Sequence, residues 1–119
     1  MKLGKKTSGG KYIKRRKKKL YEMPGQRRIV KLGKEKRKKK RTIGGNKKMV
    51  MLSAKKVSVL INKKAKMVDI KNVLETPSNR FLARQNIITK GTILETELGK
   101  VKVTNRPSQT GIVQGVLVE

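Results

Sequence analysis

Apolar and polar positions are organised very differently in the two halves of the chain. From about residue 49 onward they recur at short, strand-like spacing. Val57-Ser-Val-Leu-Ile61 is a β-branched run, Asn62-Lys-Lys64 is a polar turn, and Lys66-Met-Val-Asp-Ile70 alternates. Val68 and Ile70 take one face and Met67 and Asp69 the other, which predicts a hairpin. Asn72-Val-Leu-Glu75 reads as one helical turn, stopped by Thr76-Pro-Ser-Asn79. Phe81-Leu-Ala-Arg-Gln85 reads as a short helix, and Ile87-Ile88 as the start of another strand turned at Lys90-Gly91. Thr92-Ile-Leu-Glu-Thr-Glu97 and Lys100-Val-Lys-Val-Thr104 form two strands joined across Leu98-Gly99, a strong hairpin signal. Arg106-Pro-Ser-Gln-Thr-Gly111 reads as a loop, and Ile112-Val-Gln-Gly-Val-Leu-Val118 as a closing strand. Five or six short strands with turns at close spacing predict a mainly β fold. The expected body is a small antiparallel β-barrel of about six strands over residues 49–119.

Residues 1–48 show no such pattern. Their apolar residues are isolated (Leu3, Ile13, Leu20, Met23) or paired (Ile29, Val30), and two low-complexity runs, Lys14-Arg-Arg-Lys-Lys-Lys19 and Lys36-Arg-Lys-Lys-Lys-Arg41, dominate the segment. In a helix, Lys14 would face Lys18 and Arg15 would face Lys19, at the spacing where like charges repel. The segment has too little apolar surface to offset ordering entropy, so a long, irregular basic N-terminal extension, disordered when free, is expected. Thr7-Ser-Gly-Gly10 and Thr42-Ile-Gly-Gly45 echo each other beside the two runs, as joints or as points of close backbone approach.

Composition sharpens the contrast. The chain has 34 Lys and Arg against 7 Asp and Glu, a formal charge of +27 over 119 residues. Residues 1–48 hold 22 bases and two acids, a net +20, whereas residues 49–119 carry only +7. Cysteine and histidine are absent, which removes disulfides, zinc fingers, thiol nucleophiles and imidazole bases. No cofactor and no small-molecule substrate is expected. The longest apolar run, Met49-Val-Met-Leu52, falls far short of the ~18 residues of a membrane span, and lysines interrupt any leader-like core after Met1. The extension also lacks the amphipathic face a membrane binder needs.

Glu95 and Glu97 share a strand face, but beside Lys100 and Lys102 they read as cross-strand charge pairs, not as an acid–base pair. Lys90-Gly-Thr92 lacks the glycine and spacer of a phosphate loop. No enzymatic activity is expected. A charge of +20 in one segment repels itself unless phosphates neutralise it, so nucleic acid is the expected partner. Tyr12, Tyr21 and Phe81 are too few for a base-stacking platform, so recognition falls to phosphates and shape. Arg15, Arg16, Arg27, Arg28, Arg37 and Arg41 are suited to bidentate phosphate contacts, with Lys17, Lys47 and Lys48 adding point charge.

Asn86-Ile-Ile-Thr-Lys-Gly91, Ile93-Leu-Glu-Thr96, Leu98-Gly99, Val103-Thr104, and Arg106-Pro107 with Gln109 and Gly111 resemble the C-terminal signature of the ribosomal protein S8e family. Arg41-Thr-Ile-Gly-Gly-Asn46, Thr7-Ser-Gly-Gly10 and the closing Val116-Leu-Val-Glu119 are similar to further motifs of that family. The resemblance covers nearly the whole chain, and the short length resembles the archaeal form. Thr76-Pro-Ser-Asn79 departs from the family's Asn-Pro, and the extension is unusually rich in lysine. The resemblance implies a structural protein of the small ribosomal subunit in the cytoplasm, bound to its rRNA and beside neighbouring ribosomal proteins. It points to contacts from Gly9, Gly10 and Lys11, from Arg41, Gly44, Gly45 and Asn46, and from Lys90 and Arg106 on the barrel loops. The alternative on charge alone is a chromatin-like architectural nucleic-acid-binding protein. It would not need this turn-rich body.

Overall fold

In the computed structural model, residues 4–13 and 15–118 are described. Leu3, Lys14 of the first basic run and Glu119 of the closing motif lie outside them. Eight strands make up most of the fold: β1 (Lys31–Leu32), β2 (Lys36–Arg41), β3 (Lys47–Ala54), β4 (Lys56–Ile61), β5 (Lys64–Glu75), β6 (Ile93–Thr96), β7 (Gly99–Val103) and β8 (Gln114–Leu117). Two single-turn helices, α1 (Arg80–Arg84) and α2 (Pro107–Thr110), interrupt them.

β4 to β8 form a closed five-stranded barrel, and β1, β3 and β2 a three-stranded sheet. The barrel is mixed. β4 lies antiparallel to β5 but parallel to β8, so the expected all-antiparallel closure is corrected at that seam. On the other side of β8, Gly115 lets it lie close against β7. A Cβ there would sit 2.4 Å from Val101 Cγ1 and 2.8 Å from the Lys102 carbonyl oxygen, so only glycine lets β7 and β8 approach this closely.

Alternation fills the interior. Val57 and Val59 of β4, Leu94 of β6, and Val101 and Val103 of β7 are each 1 % exposed or less. In β5 the buried residues are Val68, Ile70 and then Val73, because the register against β6 shifts between Ile70 and Asn72. One extra residue changes which face points inward. That bulge explains why Asn72-Val-Leu-Glu75, expected as a helical turn, is strand. The helix starts later: Asn79 caps α1, its Oδ1 accepting from the Phe81 amide at 2.9 Å. Ile87-Ile88 is not a full strand but a buried bridge, and the expected loop at residues 106–111 contains α2. The β4–β5 turn uses Asn62 and Lys63 at positive φ, and Gly99 closes the β6–β7 hairpin at φ +113°.

The core does not stop at residue 49. Val30, Met51 and Ala54 belong to the same buried cluster as the barrel valines, with Leu32 packed against it. Residues 30–32 are held on two sides: β1 runs parallel to β3, Ile88 N donates to Val30 O at 2.8 Å, and Leu32 N to Asn86 O at 2.9 Å. The 48/49 division read from the sequence therefore falls inside β3. The irregular segment ends at residue 29, and every described residue before Val30 is exposed. With this segment extended, the radius of gyration of 20.6 Å exceeds the ~13.5 Å of a compact chain of the same length.

Candidate nucleic-acid interface

The second basic run is a strand, not an irregular arm. β2 pairs antiparallel with β3, and all six of its side chains are exposed. Alternation puts Lys36, Lys38 and Lys40 on one face of the ribbon and Arg37, Lys39 and Arg41 on the other. Arg41 stands opposite Lys47 and Lys40 opposite Lys48, so like charges face each other in register. Such pairs are destabilising in isolation. The ribbon is held at its base instead, where Val50 and Met51 are 1 % and 2 % exposed. Eight cations thus stand on a two-stranded ribbon that contains no acidic residue. Glu35, just before it, pairs with Arg37, and the Lys48 ammonium donates to Gln109 Oε1 on the barrel side.

The ribbon's tip carries the second glycine pair. Gly44 and Gly45 both adopt positive φ, Thr42 N donates to Asn46 O at 2.7 Å, and Thr42 Oγ1 donates to the same oxygen at 3.0 Å. Ile43 is 98 % exposed there. The first glycine pair forms a smaller turn: Lys6 N donates to Gly10 O at 2.8 Å, and Lys5 bridges Lys11. The Lys6 ammonium lies 5.7 Å from the Tyr12 ring centroid.

Between these turns, Arg15 and Lys17 are exposed, but Arg16 is engaged. Its guanidinium forks onto Glu22, with Nη1 to Oε2 at 2.8 Å, and Glu22 also accepts from the Lys19 amide at 3.0 Å. The Arg16 hydrogen bond, then the Lys19 amide, holds the Glu22 carboxyl below its usual range, and the same pairing raises Arg16.

Four of the expected residues converge elsewhere. Arg27 and Arg28 from the end of the arm, Lys90 from the loop before β6 and Arg106 at the start of α2 line one groove of about 620 Å³. Its floor is apolar, including Leu82 of α1 and the buried Ile88 and Pro107, and no carboxylate lines it. The expected site residues therefore fall into four groups: the ribbon (Arg37, Arg41, Gly44, Gly45, Asn46, Lys47, Lys48), the first turn (Gly9, Gly10, Lys11), the first basic run (Arg15, Arg16, Lys17) and the groove (Arg27, Arg28, Lys90, Arg106). Sequence reasoning missed Lys36, Lys38, Lys39 and Lys40 as members of an ordered ribbon. Six consecutive cations carry no strand period, so nothing local marked them. It missed the groove entirely.

Among the described residues, no arrangement resembles a catalytic centre. No cluster of three metal-ligating side chains occurs among the described residues, and Glu95 is an exposed strand residue opposite Lys100. Fold and charge together define a class: a small mixed β-barrel carrying a polycationic ribbon and arm. The family model for ribosomal protein S8e matches residues 2–118. Two relatives, each named small ribosomal subunit protein eS8, are similar along most of their length. The one from Nanoarchaeum equitans is 45 % identical over 106 residues, covering 87 % of this chain and 84 % of its own. The one from Methanosarcina barkeri is 38 % identical over 116 residues, covering 96 % and 93 %. The chain belongs to the ribosomal protein S8e family, whose members are structural proteins and not enzymes.

Proposed function

We propose that this protein is a structural constituent of the small ribosomal subunit in the cytoplasm. It binds and stabilises folded rRNA through phosphate contacts of its arm, its β2–β3 ribbon and its barrel loops, alongside neighbouring ribosomal proteins. The observation that carries the reading is the ribbon itself. Beyond the buried Val50 and Met51 at its base, cations on both faces, with Arg41 opposite Lys47 and Lys40 opposite Lys48, dominate the outer half of the ribbon, so its fitting partner is a polyanion that wraps around it. Lining up phosphates along both faces replaces repulsion with attraction and releases counterions. The arm before Val30 makes only local hydrogen bonds among the described residues and is disordered in the free protein, becoming ordered on RNA.

The test is binding to small-subunit rRNA as a function of salt. Each phosphate neutralised contributes roughly −0.7 to −0.9 to the slope of log affinity against log salt, so about ten contacts give several decades of loss between low and moderate salt. A slope near one or two would mean that base or apolar contacts dominate and would refute the reading.

A further inference from the structure

Phosphate binding accounts for the cations of the groove between the arm and α1, but not for its floor. A phosphate needs charge and donors. It gains nothing from the apolar surface that Ile29 and Leu82 contribute to this lining. An acidic peptide would use the cations but would leave a flat apolar floor poorly filled. A nucleotide matches both parts, having a planar base with apolar faces and polar edges, and a phosphate beside it.

We propose that the groove receives one unstacked nucleotide of the bound RNA, its base against Ile29 and Leu82 and its phosphate among Arg28, Lys90 and Arg106. This rests on the RNA-binding reading above and adds a preference for RNA with an extruded base. Size agrees, since about 620 Å³ lies within the ~300–1,000 Å³ of typical small-ligand sites. The floor and the α1 side of the groove are preformed: Ile88 N donates to Val30 O at 2.8 Å and the Asn79 cap fixes α1, so only Arg27 to Ile29 must order onto the RNA. Asn79 Oδ1 is occupied by the Phe81 amide, which leaves its amide nitrogen to donate to a base edge. Arginine planes stack on bases, so Arg28 or Arg106 substitutes for the missing aromatic platform.

The first experiment uses the whole chain without RNA: methyl NMR during titration with AMP or with ribose 5-phosphate, which carries the same charge but no base. AMP should shift the Ile29, Leu82 and Ile88 methyls at least threefold more than ribose 5-phosphate does, with the exposed Ile43 methyl as control. Equal shifts from both compounds, or larger shifts from a short polyglutamate peptide, would overturn the proposal. The second experiment compares a fully paired RNA duplex with the same duplex carrying a single-nucleotide bulge. The protein should prefer the bulged duplex about tenfold. Ser78→Trp, at an exposed rim position, should abolish that preference and the AMP response while leaving affinity for the paired duplex within twofold. A preference that survives Ser78→Trp would also overturn the proposal. If instead the RNA-binding reading fails, neither duplex binds at moderate salt while AMP still reports on the groove, so the two failures have different signatures.

Discussion

The two basic runs have nearly the same composition and opposite structures. Residues 15–19, Arg-Arg-Lys-Lys-Lys, are exposed and unpaired with any strand, leading into a single 3-10 turn at Leu20–Glu22. Lys36–Arg41 forms a six-residue strand. Neither run has a hydrophobic pattern of its own. The difference lies in the segment C-terminal to each run. Residues 20–29 bury nothing, whereas the strand after Lys36–Arg41 carries Val50, Met51 and Ala54 into the core. A run of like charges thus takes its conformation from the strand to which the chain returns it, and repulsion along the ribbon is offset by burial at its base.

Removing equal charge from each region tests that lesson most strongly. Replacing Arg37 to Arg41 with glutamine, or Arg15 to Lys19 with glutamine, deletes five charges in either case. Both variants should lose affinity for small-subunit rRNA, and each lost phosphate contact should flatten the salt slope by ~0.7–0.9. The ribbon variant should lose at least tenfold more, because its cations are held in place before binding. Equal losses would mean that anchoring contributes nothing.

Met51→Ala attacks the anchor. Met51 is 2 % exposed and faces Arg37 across the ribbon. The cavity should cost roughly 2–5 kcal/mol of stability by denaturant melting. Amide exchange in residues 36–41 should rise to the level of residues 15–19. Persisting protection would show that the ribbon is held elsewhere.

Limited proteolysis of the free protein should trim the arm to a fragment beginning near Val30, with the ribbon retained, not near Met49. A fragment beginning at residue 49 would place Lys36–Arg41 with the arm after all. Within the barrel, Gly99→Val forces a β-branched residue to φ +113° and should cost about 1–3 kcal/mol. The ribbon's exchange rates should stay unchanged. The smallest effect concerns pH. The Glu22 carboxyl is depressed where the arm is ordered, so on RNA the turn it stabilises is intact at neutral pH and is lost as pH falls through that lowered value. Amide shifts of Lys19 and Glu22 should report this with no change in barrel melting, because both partners are exposed.

Much of the barrel was legible because Val57, Val59, Val101 and Val103 alternate cleanly with polar residues, and Gly99 marks its hairpin. Residues 72–75 were not, since a bulge breaks the alternation at the point where a strand must be told from a helix. The ribbon was illegible for a different reason: six cations have no apolar–polar period to read. Charge alone pointed to a polyanionic partner and supplied most of the proposed contact residues. The groove escaped because Arg28 and Lys90 come to line one site through the Lys31–Ile87 bridge and the flanking Val30–Ile88 and Leu32–Asn86 hydrogen bonds, tertiary contacts with no local signature.

The parallel seam between β4 and β8 also sets an order of events during synthesis. Translation adds ~5–20 residues per second, so the last residue of the barrel, Leu117, is polymerised roughly 3–14 s after Lys48 completes the cations of the ribbon. Late in that interval the nascent chain carries the finished ribbon cations and a half-built barrel with two open strand edges. Any polyanion or second nascent chain nearby can capture it in that state, and the β8 of one copy can close the barrel of another. The most vulnerable stage in the life of this protein is therefore the few seconds before its seam closes.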